Sequence, residues 1–139
     1  MTAAVLERPV AVNEALVREN FELWNKALLS KNPNEVAKLY AENFRFLPTF
    51  SDKLISNDRN ALNSYFEHFV QQSPKAKIVE EAFGFLGNDV YEHTGKYDFE
   101  VGSKGSSKTI HARFTYIWKN NGKWQIVCHH SSELPVTHN

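Results

Sequence analysis

The sequence predicts an α+β domain, with helical segments first and a long, strongly curved antiparallel sheet after them. Apolar residues recur at helical spacing up to Phe69, and from Lys75 the pattern changes to four long strand-like runs. Short turn signals separate those runs, and Gly84 and Gly95 fall inside them, where a sheet can bulge or bend. A sheet curved in this way wraps its concave face around the helices and leaves a pocket between.

Residues 1–12 read as a loose arm ending near Pro9, followed by one domain over 13–135 and a tail over 136–139. Asn13 is suited to cap a first helix, which carries Leu16, Val17, Phe21, Trp24, Ala27 and Leu28 on one stripe. Pro33 suits the first turn of a short second helix. "ENFRFLPTF" reads as a short strand stopped at Pro48. A third helix is expected from near Asn57, with Leu62, Tyr65, Phe66 and Phe69 at helical spacing and "QQSP" ending it. "AKIVEEAFGFLG", "DVYEHTGKYDFEV", "SKTIHARFTYIWK" and "KWQIVCHHSS" follow, joined through "GND", "GSKGSS" and "NNG", the turn chemistry of an antiparallel meander.

Composition narrows the function. The chain has 139 residues, 42% of them hydrophobic and 13% aromatic, which supports a core without disulfide or metal staples. Sixteen basic residues balance 16 acidic ones, so no long-range field attracts a polyanion and nucleic acid is not an expected partner. A pI near 7.0 is compatible with self-association. Cys128 is the single cysteine, and the sequence shows neither a signal peptide nor an apolar run long enough to span a bilayer, so a cytoplasmic location is expected and no membrane partner.

The segment "GKWQIV" at 122–127, followed by His130, Ser132 and Pro135, together with "RFLP" and then "LIS", is similar to the association (hub) domain of calcium/calmodulin-dependent protein kinase II. The order of elements resembles the wider nuclear transport factor 2-like, or cystatin-like, superfamily. That group includes small stand-alone proteins, some labelled SnoaL-like or as oxidoreductases, whose ends read "HHSSxxP" as this one does. The resemblance implies a cone-shaped barrel of a strongly curved antiparallel sheet wrapped around three N-terminal helices. It also implies a hub-like assembler, forming a homodimer or larger ring, with an internal pocket for a small polar or carboxylate-bearing ligand. No kinase domain is present, so kinase activity is not implied.

The resemblance also implies which strand face lines the pocket. Two arginines of the hub pocket match Thr115 and Ser131 here, which leaves Arg113, two residues from Thr115, to supply a guanidinium, with Arg45 as a second. His111 and His129 share the same parity, and Tyr40 and Trp24 complete the expected ligand-binding set. Arg113 paired with an internal carboxylate is the competing structural reading. Phe114, Tyr116, Trp118, Trp124, Ile126 and His130 then fall on the outer face as the expected subunit contact, unless a bulge inverts the parity and makes the aromatics core.

Adjacent strand residues point to opposite faces, so His129 and His130 are expected to do different jobs and not to chelate a metal together. No metal and no cofactor is expected. An isomerase- or cyclase-type (SnoaL-like) enzyme stays open as the alternative, drawing on Tyr40, Tyr65, Tyr91, Tyr97, Asp98 and His129, although no specific catalytic motif is present and Cys128 lacks a nucleophile context.

Overall fold

The computed structural model describes residues 13–102 and 106–136, so the N-terminal arm, the centre of the "GSKGSS" turn and the last three residues lie outside the described residues. The elements run α1 (Glu14–Leu29), α2 (Pro33–Ala37), β1 (Tyr40–Leu47), β2 (Ile55–Ser56), α3 (Arg59–Phe69), a 3-10 turn (Val70–Gln72), β3 (Lys75–Gly87), β4 (Val90–Val101), β5 (Lys108–Asn120) and β6 (Trp124–Glu133).

Local chemistry sets the helix starts. The Asn13 side chain accepts from the Leu16 amide, Asn32 caps α2 just before Pro33, and Asp58 accepts from the Ala61 amide. The cap on Asp58 starts α3 later than the expected Asn57, which sits in a left-handed conformation at φ 55°.

The sheet order is β2-β1-β6-β5-β4-β3. The four long strands form the meander read from the sequence. The small strand β2 and the parallel pairing of β1 with β6 were not legible there. The sheet is curled and open rather than closed. Bulged residues bend it: Val79 and Leu86 have no partner across β4, and Val127 has none across β5. Gly95 allows the sharpest approach, since a Cβ there would stand 2.1 Å from the Glu80 carbonyl oxygen.

α1 lies in the concave face. Val17, Phe21, Trp24 and Leu28 are buried against inward-facing residues of the sheet, and Phe21 stacks on Phe114 with centroids 6.2 Å apart. Two buried asparagines fasten the helix. Asn20 Nδ2 donates to the Tyr91 hydroxyl at 2.9 Å, and Asn25 holds both the amide and the carbonyl of Ala76 on the edge strand β3. No helix among the described residues is long and apolar enough to cross a membrane.

Candidate functional site

On β5 the buried residues are Ile110, Ala112, Phe114, Tyr116 and Trp118. The expected faces of this strand are therefore exchanged. Phe114, Tyr116 and Trp118 form the floor of the core and are not a subunit contact, while His111 and Arg113 are exposed and Thr115 is half-buried on the convex face. The cause is hydrophobic: the aromatic row goes where α1 covers it. On β6 the alternation breaks at Val127, so Ile126 before the bulge and His129 and Ser131 after it all face inward. Ile126 is thus core, and half-buried Trp124 packs on the Tyr91 ring at 5.3 Å. Arg45 also lies outside, where its Nη1 donates to Asn57 Oδ1 at 3.0 Å and to Asn43 Oδ1 at 3.3 Å.

The expected ligand-binding set therefore separates into two groups. Trp24, Tyr40, His129 and Ser131 meet inside; Arg45, His111, Arg113 and Thr115 lie outside. The double histidine divides as strand geometry requires. His129 is 1% exposed, and His130 is exposed on the convex face opposite Thr115.

The interior group is a directional hydrogen-bond relay. Trp24 Nε1–H, which can only donate, reaches the Tyr40 hydroxyl at 3.2 Å. Tyr40 in turn donates to His129 Nδ1 at 2.7 Å. This assigns the imidazole proton to Nε2, which lies 3.3 Å from the Tyr97 hydroxyl. Tyr97 donates to Ser131 Oγ at 2.6 Å, and Ser131 bonds Thr49 at the rim of the sheet. The His129 ring is clamped between Tyr116, at 4.1 Å and 18°, and Phe46, at 4.8 Å and 14°. Burial holds its pKa well below the ordinary histidine value, with neighbouring His130 adding to the effect. Burial likewise raises Tyr40, Tyr97 and Tyr116.

Both nitrogens of His129 are engaged and the ring is sealed, so it has no lone pair to offer a substrate. It acts as a polar knot in an aromatic core. Histidine–carboxylate pairs occur elsewhere. His111 Nδ1 meets Asp98 Oδ1 at 2.7 Å on the convex face. Buried His93 Nε2 meets Glu81 Oε1 at 2.8 Å, and Glu81 pairs outward with Arg18 at 3.1 Å. The sequence reading missed both pairs, although Asp98 and His111 face each other across β4 and β5, and Glu81 and His93 are diagonal neighbours once β3 and β4 are paired through the "GND" turn. Among the described residues, no group of three or more His, Cys, Asp or Glu side chains converges to hold a metal.

Several concavities accompany the relay among the described residues, one of about 640 Å³ lying between α1 and β3. A cavity of about 420 Å³ opens between α3 and the 50–55 segment, lined by Phe50, Ser51, Lys53, Ile55, Tyr65, His68 and Phe69 among others. A smaller recess of about 250 Å³ on the convex face collects Thr94, Arg113, Thr115, His130 and Ser132.

Known proteins place this architecture. A Xanthomonas campestris protein described as a calcium/calmodulin dependent protein kinase II association domain is 34% identical, with 93% of each chain covered and a TM-score of 0.86. A nuclear transport factor 2-like protein with a cystatin-like fold from Novosphingobium aromaticivorans shares the fold at 10% identity, a TM-score of 0.72, and coverage of 98% of this chain and 88% of that one. Another such protein, from Pseudomonas putida, does so at 16% identity and a TM-score of 0.72, covering 89% and 87%. No curated protein matches the chain significantly. The model of the calcium/calmodulin dependent protein kinase II association domain family matches residues 13–135, and with the curled sheet around α1 this shows that the chain belongs to that family.

Proposed function

We propose that the chain is a stand-alone, hub-like assembly module that pairs with a second copy through the convex face of its sheet, and that it also binds a small polar or carboxylate-bearing ligand. One observation carries the assembly reading. A row across the sheet runs Arg45, Cys128, Ile117, Glu92, each paired with the next on the neighbouring strand. Its centre is apolar and half-buried, and its ends carry opposite charges. Exposed Leu47 adjoins it beside His130.

A two-fold axis along the strands, between β5 and β6, lays Ile117 of each copy over Cys128 of the other. The same operation sets each Arg45 over the Glu92 of the other copy. The face is therefore complementary to itself. Pairing it buries an apolar strip that otherwise faces water.

Light scattering at micromolar concentration is the test. A dimer or larger ring is expected, with a contact above roughly 1,000 Å² in total. Ile117→Glu places a charge in the centre of the strip and is expected to yield monomers of unchanged thermal stability. A strictly monomeric wild-type protein overturns the reading.

A further inference from the structure

The cavity between α3 and the 50–55 segment has a lining chemistry that the assembly face does not use. We propose that it is a binding site for a small aromatic carboxylate, with the anionic head on Lys53 and Ser51 and the ring against Phe50, Tyr65 and Phe69. This deepens the ligand half of the function proposed above and is independent of self-association.

Its volume, about 420 Å³, falls within the roughly 300–1,000 Å³ usual for small-molecule pockets. The apolar side is aromatic: Phe69 lies 5.5 Å from Phe50 and 5.8 Å from Tyr65, centroid to centroid. Phe50 is still 39% exposed, so a flat ligand laid on it removes apolar surface from water.

The polar side is cationic and donor-rich. Lys53 has no acidic partner among the described residues, and no Asp or Glu lines the cavity. Ser51 Oγ accepts from the Lys53 amide at 3.2 Å, which leaves its own O–H to donate. One short turn therefore presents an ammonium and a hydroxyl donor together, and a carboxylate satisfies both. His68 donates Nδ1–H to the Ser64 carbonyl at 2.8 Å, leaving Nε2 to accept a hydroxyl carried by the ligand ring.

The rim is held in place before any ligand arrives. Thr49 is bonded to buried Ser131, and the Phe50 amide reaches the Tyr65 hydroxyl at 3.4 Å.

Titration calorimetry with benzoate, benzamide and acetate tests the site on the wild-type chain and on Lys53→Gln and Arg113→Ala. Benzoate is expected to bind. Benzamide, equal in shape but uncharged, and acetate, charged but without a ring, are each expected to bind about tenfold more weakly or worse. Lys53→Gln is expected to lose about tenfold for benzoate, with an unchanged melting temperature, and Arg113→Ala to lose nothing. Benzoate binding that Arg113→Ala abolishes and Lys53→Gln leaves intact overturns this placement but keeps a carboxylate ligand, at the convex recess. Equal binding of benzoate and benzamide overturns the carboxylate assignment. Absence of binding by all three overturns both the site and the ligand half of the proposed function.

Discussion

His129 shows how far one residue can be read. Strand alternation separated it from His130, and the hub-domain resemblance at Ser131 directed it inward. The sequence did not carry its neighbours, because Phe46 and Tyr116 reach it from strands whose pairing with β6 depends on a parallel connection and a bulge. Its environment gives a pH prediction. The native ring stays neutral well below the ordinary histidine value, while the unfolded chain takes up a proton near pH 6.5. The unfolded state therefore binds more protons at low pH. Stability from this group is complete above about pH 6.5 and falls as pH drops below it. For a ring that stays neutral when native, the loss between pH 7 and pH 5 is about 2 kcal/mol. Buried His93 acts in the same direction through burial, opposed by Glu81. Urea unfolding at the two pH values is expected to show the wild type losing about 2 kcal/mol more than His129→Gln. Equal losses would mean that His129 titrates freely in the native state. Nitrogen chemical shifts of the ring, which stay those of a neutral imidazole to pH 5 on this account, give a check that does not depend on the variant's stability.

At the scale of elements, the order of helices and strands and the caps were legible because they depend on local chemistry: Asn13, Pro33, the "GND" and "NNG" turns, the period of the apolar residues. The face of β5 was not. Both rows of "HARFTYIWK" alternate cleanly, and matching Thr115 and Ser131 to one side fixed the wrong parity on β5, because Ser131 pairs with Phe114 and Thr115 stands opposite His130 on the other face. The aromatic row itself was the better guide, because burial of large rings outweighs placement of an arginine. The curl of the sheet was foreshadowed by Gly95. It pairs with Glu81 just beyond the Val79 bulge, where β3 folds over β4. In Gly95→Ala the new methyl would meet the Glu80 carbonyl oxygen at 2.1 Å and the Glu81 Cα at 2.9 Å, both backbone atoms that cannot rotate away. The variant is expected to lose about 3 kcal/mol, measured by denaturant unfolding. Gly84→Ala meets only the tip of the Glu92 side chain at 3.0 Å and is expected to lose much less. Equal tolerance at both positions would mean that the bend does not depend on Gly95.

At the scale of the whole molecule, zero net charge hides a patterned surface. The concave face is spent on the core, and the proposed assembly and ligand sites use the convex face and the α3 cavity. On the convex face, one end of the central row is Arg45 and the other is Glu92, separated by Cys128 and Ile117. In the two-fold arrangement proposed above, each dimer contains this cross pair twice, and a single reversal places like charges together at both sites. Arg45→Glu is therefore expected to weaken the dimer about tenfold or more, as is Glu92→Arg, because repulsion replaces attraction beside an apolar strip. The double variant Arg45→Glu, Glu92→Arg restores opposite charges at both sites and is expected to recover most of the wild-type association. Equal mixing of the two single variants should give a heterodimer in which position 45 of each chain faces a position 92 of opposite charge, so mixing is expected to rescue assembly that neither single variant shows alone. Sedimentation equilibrium of the four proteins and of the mixture distinguishes this geometry from any other dimer. An arrangement that does not bring Arg45 over Glu92 predicts no recovery in the double variant, and one through the edge of β3 predicts no effect from either single change.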